Sequence, residues 1–238
     1  MSLRLPTLVL LLCALLGSSA GAQRPAPGPA SARATSADTA RDARLVRADR
    51  GRVRGKSDAV WIVVISDFQC PFCKKWHEET MPAIERDYVR TGKAQIAYMN
   101  FPIPGSHPNA VTAHELAMCA AEQGQFWPAA DALFRTQRNW GSRSDLRTVL
   151  DSIARGLAID QRRYTACMDS HEMRSLVDAD YVRATQIGAT STPSFLIGGR
   201  PLIGAQPYAA FQRAIDAALA EQSKAAPKSG PTGAPRSR

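Results

Sequence analysis

The chain has 238 residues and a formal net charge of +9 at pH 7, which is long enough for one domain with a core of its own. The charge is uneven, because residues 23–57 carry +6 and residues 222–238 carry +4, whereas residues 58–220 sum to −1. A neutral body with basic ends argues against a nucleic-acid partner.

The first residues, 1–22, are typical of an export signal. Arg4 supplies a positive start, Leu8–Leu16 is an apolar run too short to span a bilayer comfortably, and Ala20–Ala22 is a small-x-small cleavage site. We expect a mature chain that begins at Gln23 and works in the periplasm or another extracytoplasmic space. An uncleaved anchor is the alternative, and no other stretch approaches transmembrane length.

After the signal, the sequence predicts a stretch with little structure and then the first strands of a sheet. Residues 23–44 are mostly Ala, Pro, Gly, Ser and Arg, and we expect a disordered basic leader. A folded domain should span residues 45–220. Its first edge strand is predicted within Leu45–Arg54 from weak alternation, and Val60–Ile65 is a continuous apolar run that predicts a strand buried on both faces.

A helix and a second strand are predicted next, followed by a long helical block. The helix opens at Cys70 and continues towards Tyr88, with a kink expected at Pro82 because proline removes one helical hydrogen bond. Gln95–Met99 has the pattern of a strand. Residues from about 106 to 187 show only helical periodicity, which predicts an inserted all-helical subdomain.

Strand signals return near the end. Ser194–Ile197 and Arg200–Ile203, joined by two glycines, predict a hairpin, and Tyr208–Ala220 predicts a closing amphipathic helix. Residues 221–238 are expected to form a second disordered basic tail. The order of elements indicates an α/β fold of three layers, interrupted by the helical block.

The chemistry of the chain is concentrated in Cys70-Pro71-Phe72-Cys73. This stretch follows the central strand and opens a helix, with Pro71 at the first turn, where its missing N–H costs nothing. A Cys70 thiolate there meets unpaired N–H groups and the positive end of the helix dipole, so its pKa should fall below the usual value of about 8.5. Cys73 lies close enough to resolve a mixed disulfide. The pattern therefore predicts thiol–disulfide exchange.

Three other interpretations of the CxxC pair are weaker. A zinc site needs two further ligands, and the chain has no second CxxC and no H-x3-5-H pattern, so we expect neither a metal nor another cofactor. A purely structural four-residue disulfide would be strained, and inert buried thiols fit poorly with export.

His77, one turn after the pair, is predicted to be a solvated helix residue rather than a proton shuttle.

The mature chain keeps two more cysteines, Cys119 and Cys167, in two predicted helices of the insertion. An even number of cysteines in an exported chain favours a structural disulfide between them. Two separate buried thiols are the alternative.

With these patterns in view, the chain resembles the DsbA-like branch of the thioredoxin fold. The resemblance covers Val53 to Ala220. The stretches that carry it are Ser66–Cys73, Ala120–Trp127, Thr190–Gly199 and Gly204–Tyr208.

The resemblance implies roles for particular residues. Cys70 would be the attacking, partly exposed thiolate, and Cys73 the buried resolving thiol. The Thr192–Pro193 bond would be cis and lie beside the two sulfurs, where Thr192 can pair with an extended substrate and the loop disfavours metal binding.

The sequence departs from this family at two positions. Many relatives carry a buried Glu or Asp six residues before the first active-site cysteine, and here that residue is Val64, so the usual acid near the resolving thiol is missing unless Asp67 or water replaces it. Some strongly oxidising relatives have a histidine where this chain has Phe72. An uncharged ring predicts a less oxidising potential.

We therefore expect an extracytoplasmic thiol:disulfide oxidoreductase that introduces disulfides into exported proteins. Its partners would be exported protein thiols and a membrane or soluble protein that re-oxidises it. A reductase or isomerase is the alternative within redox chemistry, and a non-catalytic holdase or metallochaperone is the alternative outside it. Residues 23–44 look unable to build the dimerisation domain that isomerases of this kind usually need, so a monomer is expected.

Overall fold

The computed structural model describes residues 36–225, and the predicted signal peptide, most of the predicted leader and the end of the predicted tail lie outside that range. It contains ten α-helices and five strands. In chain order they are α1 (Ser36–Gly51), β1 (Val53–Gly55), β2 (Val60–Ser66), α2 (Pro71–Glu79), α3 (Met81–Ile84), β3 (Ala94–Asn100), α4 (Ala110–Ala121), α5 (Phe126–Arg135), α6 (Gln137–Trp140), α7 (Leu146–Arg155), α8 (Gln161–Ser170), α9 (Arg174–Gln186), β4 (Ser194–Ile197), β5 (Arg200–Ile203) and α10 (Tyr208–Ala225).

The strands form one mixed sheet in the order β1-β3-β2-β4-β5. β2 and β3 are parallel, and the other pairs are antiparallel. The run of apolar residues in β2 is explained by its central place, since one face carries Ile62 and Val64 in the main core and the other carries Ile65 in a smaller apolar cluster with Phe101 and Ala184. Helices therefore cover both faces, and the three-layer prediction is confirmed.

The six helices α4–α9 lie between β3 and β4, so the predicted all-helical insertion is also confirmed. A buried ion pair joins it to the sheet. Asp180 of α9 is fully buried, contacts the guanidinium of Arg52 and accepts hydrogen bonds from the main-chain and side-chain nitrogens of Asn100 at 3.0 and 2.7 Å.

The beginning of the domain differs from the prediction. Residues 36–51 form helix α1, where the sequence predicted the end of a disordered leader and a first strand, and only Val53–Gly55 is extended. The weak alternation was misleading, because Val46 is 48% exposed. Alanine and arginine favour a helix, and this one is held to the insertion by the buried Ala48 and by an ion pair of 2.6 Å between Arg47 and Glu122.

Two further boundaries need correction. The helix after Cys70 does not run continuously through a kink at Pro82. It ends at Glu79, restarts at Met81 and finishes in a π-helical turn at 85–89, because a proline just after the restart cannot donate to the preceding turn. The final helix extends to Ala225, five residues into the predicted tail, and there the amide of Gln222 donates to the carbonyl of Asp58 at 2.9 Å.

Candidate active site

The CxxC pair lies where the central strand passes into helix α2. β2 ends at Ser66, a short turn closes with a hydrogen bond of 3.1 Å from Cys70 N to the Asp67 carbonyl, and Cys70 is the extended N-cap residue of α2 with Pro71 in the first turn. A strand buried on both faces fixes one end of this turn, and the helix fixes the other. The structure therefore has the pair at a helix N-terminus, as the sequence predicts.

The two thiols have opposite electrostatic environments. The pKa of Cys70 is lowered to about 6, chiefly by a hydrogen bond from the Cys73 thiol and also by Thr192 and by the backbone N–H groups of Cys73 and Phe72, while burial opposes the shift. Burial raises the pKa of Cys73 well above its ordinary value, and the neighbouring Cys70 adds to that increase. At neutral pH Cys70 is mainly thiolate and Cys73 is the thiol.

Cys70 is more covered than the resemblance implied. It is only 4% exposed, and Cys73 is fully buried, whereas Phe72 between them is 63% exposed. The backbone of Thr192 lies directly against Cys70, with 3.5 Å between the sulfur and the carbonyl oxygen. Access to the Cys70 sulfur is therefore narrow, and a partner must approach beside the exposed ring of Phe72.

The loop that contacts Cys70 follows the insertion in the sequence and contains Thr192 and Pro193. The Thr192–Pro193 peptide bond is cis. β4 follows at once, and its pairing of Ser194 with Ile65 of β2 holds the loop beside the end of the central strand. The amide of Gly204 donates to the Pro193 carbonyl at 2.8 Å, so β5 helps to fix the loop.

Two glutamines that have no recognisable signal in the sequence join the active-site turn to the insertion, one from each side. Gln137 of α6 is buried, and its amide donates to the carbonyls of Phe68 and Cys70 at 2.8 and 3.0 Å. The Gln69 side-chain amide donates to the Gly141 carbonyl at 2.7 Å, and its oxygen accepts from the main-chain N–H of Asn109 at 2.8 Å. An isolated glutamine carries no sequence signal for such contacts, because its partners are distant carbonyls.

Asp67 does not turn its carboxylate to the resolving thiol. The carboxylate accepts from the amides of Gln69 and Ile103 at 2.7 and 2.8 Å and lies 2.8 Å from Nδ1 of His107. Burial raises the pKa of this carboxyl group, although these hydrogen bonds oppose the increase. Its contact with Cys73 is made by the main-chain N–H, 3.5 Å from the sulfur. Val64, at the position of the usual acid, is buried and apolar.

The prediction for His77 is wrong. Its residue exposure is only 8%, its Nε2 lies 2.7 Å from a carboxylate oxygen of Asp131, and its ring packs on Phe134 with 4.6 Å between centroids. The side chain therefore ties α2 to α5 of the insertion. One turn of helix from Cys73, the position faces the insertion rather than solvent.

The other two cysteines among residues 36–225 form a disulfide. Cys119 of α4 and Cys167 of α8 are joined, with 5.9 Å between their Cα atoms. Cys70 and Cys73 are thiols. Within residues 36–225 no three His, Cys, Asp or Glu side chains are grouped to hold a metal ion, and no helix has the length and hydropathy to cross a membrane.

Comparison with known proteins identifies the group to which the site belongs. The family model described as thioredoxin matches residues 47–217. The chain belongs to the thioredoxin family. It is 27% identical over 168 residues to a probable disulfide bond formation protein D of Bacillus anthracis, a match that covers 69% of this chain and 76% of that protein. Within the family the DsbA-like resemblance is confirmed, and the chain is a thiol:disulfide oxidoreductase.

Two further similarities differ in extent. The crystal structure of α-DsbA1 from Wolbachia pipientis shares the fold with a TM-score of 0.65 at 22% identity, covering 73% of this chain and 92% of that one. A Na⁺/H⁺ antiporter, NhaA 3 of Salinispora tropica, is 30% identical over 173 residues, but this covers only 25% of the antiporter. The antiporter match therefore concerns a segment of that protein.

Proposed function

We propose that this oxidoreductase works as an oxidase, donating the Cys70–Cys73 disulfide to exported proteins. The observation that carries the proposal is the asymmetry of the two thiols, since the pKa of Cys70 is lowered to about 6 and that of Cys73 is raised. Groups that stabilise the Cys70 thiolate stabilise the reduced enzyme. An enzyme whose reduced form is favoured passes its disulfide on readily.

The exchange has two steps. A substrate thiolate attacks the sulfur of Cys70, the Cys70–Cys73 bond breaks, and Cys73 leaves and takes up a proton. A second substrate thiolate then attacks the substrate sulfur of the mixed disulfide, and Cys70 leaves as a thiolate. The substrate dithiol is oxidised and the enzyme is reduced. The low pKa of Cys70 makes it a good leaving group in the second step.

The loop at Thr192 is suited to hold the substrate during the exchange. Its carbonyl lies 3.5 Å from the Cys70 sulfur, where an extended segment that brings a cysteine to Cys70 would pass. The exposed ring of Phe72 offers an apolar contact on the other side. These neighbours favour an unfolded or extended protein segment as substrate.

The proposed location and partners rest on different observations. Residues 1–22 read as an export signal, and a disulfide such as Cys119–Cys167 persists in oxidising compartments. The Bacillus anthracis relative is named for disulfide bond formation. We therefore place the enzyme outside the cytoplasm, as a monomer, with exported protein thiols as substrates and a membrane or soluble protein that re-oxidises Cys70 and Cys73.

The test is oxidative refolding of a reduced, unfolded ribonuclease with no other oxidant and one molecule of oxidised enzyme for each disulfide to be formed. Recovery of ribonuclease activity, together with formation of the enzyme dithiol, is expected for the parent, and a Cys70→Ser variant should give none. An enzyme that instead speeds insulin reduction or only unscrambles existing disulfides would contradict the oxidase direction. A protein that binds substrate with no Cys70-dependent turnover would be a holdase.

A further inference from the structure

The resolving thiol faces two hydroxyl groups on the sheet. Val64 of β2 pairs with Tyr98 of β3, so Val64, Ser66 and Tyr98 project from one face of the sheet. The Cys73 sulfur lies 3.5 Å from the main-chain nitrogen of Asp67, the residue after Ser66. Ser66 lies at one end of this sheet face, and that end is therefore next to the Cys73 sulfur.

Both hydroxyls are buried, and one lacks a partner. Ser66 is 1% exposed and Tyr98 is 3% exposed, and no hydrogen bond of ordinary geometry satisfies the Tyr98 hydroxyl among the described residues. An unsatisfied buried donor costs free energy, and a catalytic or redox role is one explanation for keeping it. Its stacked ring, 4.9 Å from that of Phe68, fixes where the hydroxyl points.

The electrostatics agree with this placement. The pKa of Tyr98 is raised well above its ordinary value by burial and next by the negative charge of Cys73, and the Ser66 hydroxyl opposes the increase. The Ser66 hydroxyl also lowers the pKa of Cys73, against the larger effect of burial. The other ionisable groups here are Cys70, Asp67 and His114. The Asp67 carboxylate already accepts hydrogen bonds elsewhere. The ring of His114 lies 6.0 Å from that of Tyr98, and burial lowers its pKa to about 3, so it is neutral at pH 7.

We propose that Ser66 and Tyr98 form a chain of donors for the Cys73 thiolate, with the Tyr98 hydroxyl donating to Ser66 Oγ and the Ser66 hydroxyl donating to Cys73 Sγ. Where many relatives have an acid at the position of Val64, this chain stabilises the Cys73 thiolate by hydrogen bonds and not by taking up its proton. Ser66 then acts on the reacting sulfur as a catalytic residue, and Tyr98 is a positioning residue that polarises it. The inference rests on the Cys70–Cys73 exchange proposed above.

The chain acts in the step that closes the active-site disulfide. Cys73 gives up its proton to solvent, and its thiolate attacks the Cys70 sulfur of a mixed disulfide. The Cys70–Cys73 bond forms, the bond from Cys70 to the partner sulfur breaks, and the departing thiolate is protonated. In this step the Cys73 sulfur is oxidised from a thiolate to a disulfide, the partner sulfur is reduced to a thiol, and the Cys70 sulfur stays at the disulfide level. The Ser66 hydrogen bond stabilises the attacking thiolate, and in the reverse direction it stabilises Cys73 as it leaves.

The test measures Cys73 alone and then the step itself. In a Cys70→Ser background, thiolate absorbance gives the pKa of Cys73. Adding Ser66→Ala should raise the pKa of Cys73 by about one unit, because that shift corresponds to the loss of one hydrogen bond to a charged group. Tyr98→Phe should raise it less, and Ser66→Thr, which keeps the hydroxyl, should restore the parent value. Val63→Ala, on the same strand and the opposite face, is the matched control and should leave it unchanged.

With Cys70 present, a glutathione mixed disulfide on Cys70 should be released about threefold more slowly in Ser66→Ala at pH 7, because the smaller thiolate fraction is partly offset by higher nucleophilicity. An unchanged pKa and release rate in a folded Ser66→Ala variant would overturn the inference, as would an equal effect of Val63→Ala. Should Ser66→Ala fail to fold, an unshifted pKa in Tyr98→Phe would overturn it. A parent with no Cys70-dependent exchange would instead overturn the proposed function.

Discussion

The carbonyl oxygen of Thr192 lies 3.5 Å from the sulfur of Cys70, although 122 positions separate the two residues in the chain. The whole helical insertion lies between them in sequence, and the pairing of Ser194 with Ile65 closes the gap in space. The exchange site is therefore assembled by the sheet from both sides of the insertion. Because the contact depends on the sheet, the site should be lost whenever β4 is displaced.

Replacing Phe72 by histidine should make the enzyme more oxidising. Phe72 is 63% exposed, so the change costs little packing, and a protonated imidazole beside Cys70 would add a positive charge near the thiolate. We expect the pKa of Cys70 to fall by about one unit and the reduction potential to rise by about 30 mV. Titration of thiolate absorbance and equilibration with glutathione measure both. If Phe72→Gln, which adds no charge, gives the same shifts, the electrostatic explanation is wrong.

The stability of the reduced protein should depend on the ionisation of Cys70. Its folded-state pKa of about 6 lies below the unfolded value of about 8.5, so between these values the unfolded chain binds more protons. The stabilisation is complete above the unfolded pKa, and it is lost as pH falls through about 6. Urea unfolding of the reduced parent and of reduced Cys70→Ser should differ by an amount that grows with pH over this window, by up to about 1 kcal/mol per unit. A difference independent of pH would contradict the lowered pKa.

Removing the Cys119–Cys167 disulfide should weaken the fold without changing the redox chemistry. The bond closes a loop of 48 residues between α4 and α8, for which the double alanine variant should lose about 2–4 kcal/mol of unfolding free energy. Urea unfolding measures the loss. The reduction potential of the Cys70–Cys73 pair should stay at the parent value, and a shift of the potential would mean that the second disulfide is coupled to the active site.

The buried ion pair of Arg52 and Asp180 should be costly to break. Asp180→Asn leaves the guanidinium of Arg52 without its main counter-charge in a site where Asp180 is fully buried, so we expect a loss of about 3–5 kcal/mol. Asp178→Asn is the matched control on the same helix, because Asp178 is 64% exposed on the side chain and pairs with Arg174 at the surface. Its expected effect is below about 1 kcal/mol. Equal losses in the two variants would contradict the structural role of the buried pair.

The parts of the fold that were predictable are those with strong local signals. The apolar run of β2, the proline at the start of α2 and the glycine-linked hairpin of β4 and β5 each determine their own geometry. The insertion was equally clear, because helical periodicity continues from one turn to the next over six helices.

The elements that were missed depend on distant partners. Helix α1 has a polar composition that resembles a disordered segment, and it is fixed by contacts such as Arg44 with Glu172 at 2.7 Å, 128 positions away. The contacts of the Gln137 amide and the contact of His77 with its carboxylate partner could not be predicted for the same reason. Such contacts exist only once the insertion has packed against the sheet.

The oxidase function depends on the reduction potential of the Cys70–Cys73 pair, which equilibration in glutathione buffers measures while thiolate absorbance gives the pKa of Cys70 in the same protein. We expect a pKa of about 6 and a potential between about −180 and −120 mV, the range of known protein disulfide donors. A potential near −270 mV, the value typical of a reductase, together with a Cys70 pKa above 8, would contradict the oxidase function.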